Sequence, residues 1–167
     1  MSKSKRRNTL GRQGTEPPGR AVRAAALDAL ARRDYSIEEL RRKLLAKGYD
    51  ATVVAPLLEA LRVDKLLDDR RYTENFVAYH AVRGQGPLRI RADLRRRGLP
   101  GTLVEECLDA FPDWIVQLLR AQQKKFGAGL PGNYADKQRQ SKFLGYRGFT
   151  SAQIRMALGF DLDLDAD

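Results

Sequence analysis

Four arginines in the stretch PLRIRADLRRRGL, namely Arg89, Arg91, Arg95 and Arg96, are suited to one kind of chemistry, the holding of anions. A guanidinium is permanently charged and presents a planar fork of donors that fits phosphate and carboxylate oxygens. Locally only Asp93 offers neutralisation, and Arg91 and Arg95 place like charges four residues apart, which costs a helix stability. A helix that accepts such repulsion is expected to have an anionic partner. Fifty residues earlier Arg41, Arg42 and Lys43 form a milder version, balanced by Glu38 and Glu39. Catalytic chemistry has little to draw on. There is one histidine, His80, and one cysteine, Cys107, which exclude an internal disulfide, a thiol pair and a His/Cys metal cage. The chain contains no phosphate loop and no paired carboxylates in an apolar setting. No catalytic residue, no metal and no cofactor is expected.

These arginines must be positioned by a helix whose buried stripe is Ile90 and Leu94. On that wheel Arg91 and Arg95 share one flank, Arg89 and Arg96 share the other, and Arg97 falls at the C-terminal end near the apolar edge. Arg97 is followed by Gly98, and this pairing recurs. LLAKGY, LRRRGL and LGYRGF place Gly48, Gly98 and Gly148 four residues after Leu44, Leu94 and Leu144, with Lys47, Arg97 or Arg147 just before each glycine. Such a glycine closes a helix in the left-handed conformation. A cation in the last turn is favoured by the helix dipole by up to about 1 kcal/mol. Lys47, Arg97 and Arg147 are therefore read as helix-end cations. Tyr49, Leu99 and Phe149 follow the glycines and are expected to pack back into the core.

Laying each residue on the one fifty further along extends the match to Val54, Val104 and Ile154, then to Leu58, Leu108 and Leu158. A period of this size marks stacked supersecondary units. Each unit reads as three helices, with no alternating strand pattern. The expected architecture is all-α, three tandem three-helix repeats in an elongated, curved array, neighbouring units burying one another's apolar faces. The expected divisions are a flexible basic arm over 1–20, repeats over 21–67, 68–112 and 113–160, and an acidic tail over 161–167. Capping boxes are expected at Ser36 with Glu39, Thr102 with Glu105 and Thr150 with Gln153, and an Asp50 cap opens the helix after Gly48. Pro56 lies inside that helix pattern, so a late start or a kink is expected there.

The formal net charge of the chain is +10. Six basic residues and one acidic residue fall in 1–20, and four aspartates in 161–167. The part between is itself basic, which points to a polyanionic partner surface. No apolar run approaches a membrane span, and the N-terminal stretch lacks the apolar core of a secretory signal, so a cytoplasmic protein that acts as a monomer is expected.

LDDRRYTENFV followed by GQGPLRIRADLRRRGL resembles the signature of the RecX family, bacterial regulators of the RecA recombinase. KQRQSKFLGYRGFTSAQIRMAL is similar to that family's C-terminal segment, and RRDYSIEELRRKLLAKGY to its first unit. The resemblance covers roughly residues 21–160. It implies a modulator that binds RecA filaments on DNA, in most members inhibiting recombinase, ATPase and coprotease activity in DNA repair and the SOS response. By position it implies a contact face that includes Arg89, Arg91, Arg95 and Arg96, with Arg41, Arg42 and Lys43. A second reading, independent of RecA, is a direct helical DNA-binding module in which each helix–glycine–helix acts as a helix-turn-helix. The near absence of Asn and Gln from residues 36–61 and 86–111 weighs against base readout by such a module.

Overall fold

The computed structural model describes residues 18–159, which form nine α-helices and no strand. The first unit comprises α1 (Pro18–Leu30), α2 (Ile37–Ala46) and α3 (Ala51–Val63). The second comprises α4 (Asp69–Val82), α5 (Pro87–Arg96) and α6 (Gly101–Ala110), and the third α7 (Trp114–Phe126), α8 (Tyr134–Arg147) and α9 (Ser151–Leu158). The basic arm and the acidic tail lie outside the described residues, except that α1 begins at Pro18, so helix replaces the end of the expected arm.

Each unit closes on its own apolar core. Val22, Ala26, Leu40, Leu44, Val54 and Leu61 fill the first, Val77, Ile90, Leu94, Val104 and Leu108 the second, and Leu118, Leu144, Phe149, Ile154 and Leu158 the third. Burying one such side chain contributes about 1.5–3 kcal/mol, so these residues determine which face of each helix points inward. Leu99 and Phe149 are buried and Tyr49 packs half-buried against the first core, as their place after a glycine led one to expect. An apolar bridge between neighbouring units is provided by Trp114, which packs against both the second and third cores and donates from Nε1 to the Leu108 carbonyl (3.1 Å).

The joints between units also carry polar contacts, and these repeat. At the first, the Ser36 hydroxyl just before α2 donates to the Arg97 carbonyl at the end of α5 (2.9 Å). At the second, the Gly86 amide just before α5 donates to the Arg147 carbonyl at the end of α8 (2.8 Å), and the Leu88 amide to the Gly148 carbonyl (2.9 Å). Ser36 and Gly86 are equivalent positions of the repeat, as are Arg97 and Arg147. The N-terminus of each second helix thus meets the C-terminus of the next unit's second helix, so α2, α5 and α8 stand end to end. Unpaired amides and carbonyls at helix ends satisfy one another, with their dipoles aligned.

Gly48, Gly98 and Gly148 have φ of +89°, +82° and +92°, as helix-closing glycines should. At the joints a second requirement appears. A Cβ at Gly98 would lie 2.3 Å from Glu38 Cγ, and one at Gly148 would lie 2.6 Å from the backbone nitrogen of Arg89. At Gly48, which no unit covers, nothing lies within 4 Å.

Two expectations are corrected. The helix α6 starts at Gly101 with Pro100 in the capping position, so Thr102 lies inside the helix and no Thr102–Glu105 box forms. Asp50 and Thr150, the repeat equivalents of Pro100, do cap their helices, and the boxes at Ser36 and Thr150 are complete. The helix α3 starts on time and continues through Pro56. Pro56 and Thr52 are both exposed, so the carbonyl that loses its helical donor can turn to water.

Candidate functional site

Complete burial of Ile90 and Leu94 fixes the rotation of α5 and sorts its arginines onto two flanks. Towards α6, Arg91 makes a bidentate pair with Glu105, with both N–O distances 2.7 Å, and Arg95 reaches the same carboxylate at 3.3 Å. These bonds hold Glu105 below the usual carboxylate range, Arg91 contributing most. Glu105 therefore offsets one of the two charges that the sequence left unbalanced.

Towards α2, Arg89 and Arg96 line an open groove of about 480 Å³ together with Glu39, Arg42, Asp93 and Arg97. Four guanidinium groups thus face two carboxylates. Arg96 pairs with Asp93. Arg42 donates to Glu38 (2.8 Å) and to the Arg96 carbonyl (3.0 Å) across the joint. Arg89 is exposed and has no ion pair among the described residues.

Of the seven residues expected to form the contact face, the structure brings Arg42, Arg89 and Arg96 together. Arg91 and Arg95 occupy the opposite flank. Arg41 forks onto Glu38 (2.6 and 2.8 Å), and the Lys43 ammonium lies 5.4 Å from the Tyr35 ring centroid.

Sequence reasoning gave Arg97 too small a role. Its guanidinium contacts Glu39 (2.5 Å) and the Tyr72 hydroxyl (3.1 Å) and lies 4.9 Å from the centre of the Phe76 ring. This is a junction between the first and second units as well as a helix-end cation. Asp69 completes the junction by accepting from the Ile37 amide (2.9 Å). Burial raises Glu39, but the Ser36 amide, Tyr72, Arg97 and Arg33 together outweigh it, and the net displacement is downward. Burial and the neighbouring Glu39 push Tyr72 up to about 12. Asp69 is raised, first by burial. The only sequence signal for these contacts was the repeat itself, which aligns Ser36 with Gly86 and Arg97 with Arg147.

An acid response follows from Glu38, which Arg41 first and then Arg42 hold down to about 2, against an ordinary value of 4.5. Its contribution to stability is complete above pH 4.5 and is lost as pH falls from there to about 2. The Glu38→Gln variant is therefore expected to lose less of its melting temperature than the parent between pH 5 and pH 2.5 by circular dichroism. Parallel losses in the two proteins would refute this.

Among the described residues no group of three His, Cys, Asp or Glu side chains could hold a metal ion, and no helix is long and apolar enough to cross a membrane. The Cys107 thiol is buried and raised, first by burial.

The sequence matches three family models in order: the first three-helix domain of RecX over residues 23–61, the second over 68–108 and the third over 116–158. The regulatory protein RecX of Halorhodospira halophila is 46% identical over 138 residues, covering 82% of this chain and 86% of that protein. The regulatory protein RecX of Ectopseudomonas mendocina is 41% identical over 143 residues, covering 84% and 95%. The crystal structure of RecX from Lactobacillus salivarius superposes with a TM-score of 0.75 at 17% identity, over 85% of this chain and 95% of that one, which speaks for the fold alone. With all three domain models matched in order and relatives this similar along most of the sequence, the chain belongs to the RecX family of regulatory proteins.

Proposed function

We propose that this protein binds RecA filaments assembled on DNA and modulates them by inhibition, lowering recombinase, ATPase and coprotease activity in DNA repair and the SOS response. It acts in the cytoplasm, as a monomer. The observation that carries this reading is the ordered match of all three RecX domains, with relatives named as regulatory proteins. The groove between α2 and α5 supplies the contact face, lined by Arg89, Arg96 and Arg42, with Arg41 and Lys43 on the same unit as Arg42. Arg91 and Arg95 extend the face less directly, because Glu105 already holds them.

The test is binding to single-stranded DNA with and without RecA, across salt concentrations. The filament is expected to bind much more tightly than bare DNA. Exchanging Arg89 and Arg96 together for alanine is expected to weaken filament binding about tenfold, a loss of about 1.4 kcal/mol. Each phosphate contact removed lowers the salt slope by about one. Exchanging Arg91 alone is expected to cost less. Equal competition by bare DNA would overturn the RecA reading in favour of a direct DNA-binding module, and an unchanged Arg89/Arg96 variant would overturn the contact face.

A further inference from the structure

A second basic cleft lies at the joint between the second and third units, on residues that the contact face does not use. It has a volume of about 370 Å³, and its charged lining is Arg83, Arg120, Lys124, Lys125 and Arg147, with no carboxylate. The volume falls within the range of about 300–1,000 Å³ that small-ligand sites occupy.

Its cations differ from most of those of α2 and α5 in having no carboxylate partner. Arg41, Arg42, Arg91, Arg95 and Arg96 all have carboxylate partners. None of the five cleft cations has an ion pair among the described residues. Arg83 donates only to the Tyr79 carbonyl (3.2 Å) and lies 3.4 Å over the Tyr79 ring. Arg120 and Lys124 stand four residues apart on one face of α7, a like-charge pair that costs the helix stability unless an anion joins it.

The uncharged lining narrows the ligand. Phe143 is a half-buried lining residue that packs against the third core and in T-shaped contact with Phe126 (5.3 Å), with the Arg147 guanidinium over its ring at 5.2 Å, and exposed Val82 is also in the lining. A flat ring beside cations is the platform on which single-strand binders stack a base while holding its phosphates. A duplex keeps its bases paired and stacked and offers no free ring to Phe143.

We propose that this cleft is a binding site for single-stranded nucleic acid, taking the phosphates on Arg83, Arg120, Lys124, Lys125 and Arg147 and a base on Phe143. The site goes beyond the proposed function and does not depend on it, since it is tested without RecA.

The probe is a short fluorescent single-stranded oligonucleotide, and its anisotropy is read with the full chain across salt concentrations. Replacing Arg120 and Lys124, both exposed, with alanine is expected to weaken binding at least tenfold and to lower the salt slope by about 1.4, at about 0.7 per contact. Phe143→Leu is expected to weaken binding about tenfold and to leave the slope unchanged, the mark of lost stacking. Lys124→Glu, which removes no packing, must weaken binding further. Wild-type affinity in the Lys124→Glu protein would overturn the site. Equal displacement of the oligonucleotide by poly-glutamate, charge for charge, would overturn it in favour of an acidic peptide. Equal displacement by dAMP at the same nucleotide concentration would overturn the strand in favour of a free nucleotide. Failure of the filament assay with these results intact would count against the RecA reading alone.

Discussion

Replacing Gly86 with alanine is expected to part the second unit from the third. The new Cβ would lie 2.2 Å from the Gly148 carbonyl carbon and the Phe149 nitrogen, so the overlap is with backbone that no side-chain rotation can relieve. Gly86 has an ordinary φ of −86°, and the cost is therefore one of space alone. Overpacking of this kind costs about 1–3 kcal/mol. Separation also removes the bonds from the Gly86 and Leu88 amides to the end of α8, each worth about 1 kcal/mol. A total of about 3–5 kcal/mol is expected in urea unfolding, with early amide exchange at Leu88. Gly48→Ala is the converse case, because at φ +89° in open space its cost is one of conformation alone, about 1–2 kcal/mol. Gly98→Ala combines both costs, since its φ is +82° and the new Cβ would lie 2.3 Å from Glu38 Cγ and 2.7 Å from Glu38 Cβ, so it is expected to cost more than Gly48→Ala. Equal losses at Gly86 and Gly48 would show that the joint is not held by this contact.

The second large effect is expected at Arg97, and here sequence and structure give different magnitudes. As a helix-end cation alone, Arg97 would be worth what Lys47 is worth, at most about 1 kcal/mol. As the partner of Glu39 and Tyr72 it is worth more, because removing it strands a carboxylate whose side chain is only 14% exposed. Breaking a fully buried pair costs about 3–5 kcal/mol. Arg97 is 35% exposed, and Glu39 keeps Arg33 at 3.5 Å and the Ser36 amide, so about 2 kcal/mol is expected for Arg97→Met. Arg97→Lys should recover little of this, since an ammonium cannot contact Glu39 and Tyr72 and still lie flat against Phe76. Lys47→Met is the reference, and a cost there equal to that of Arg97→Met would return Arg97 to the role of a simple end cation.

The architecture was legible because it is written three times. Leu44, Leu94 and Leu144 with Gly48, Gly98 and Gly148 reveal helix, stop and period together, and the described helices follow that spacing. Local chemistry was legible where partners are close in sequence, as at Ser36 with Glu39 and Thr150 with Gln153. It failed at Thr102 because the motif fits the pattern of a box, although the repeat puts the cap two residues earlier, at Pro100. The candidate site was less legible. The wheel separated Arg91 and Arg95 from Arg89 and Arg96 correctly, but Glu105 comes from another helix, and its repeat equivalents, Ala55 and Arg155, carry no hint of pairing. The joints were hidden for the same reason. Arg97 and Glu39 are 58 residues apart and meet only because α2 and α5 stand end to end.

The two joints also differ in what they are made of. Main-chain amides and carbonyls hold α5 on α8, with glycine on both sides. Side chains hold α2 on the second unit, several of them charged: Ser36, Arg42 and Glu39 with Arg97 at the end of α5, and Asp69 at the start of α4. Peptide dipoles neither titrate nor exchange partners with dissolved ions, whereas a guanidinium–carboxylate pair is weakened by salt and by acid. In mechanical terms the molecule has one stiff coupling and one compliant coupling in series. Raising ionic strength softens only the latter, so the second and third units should swing as a single lever about the Ser36–Arg97 pivot.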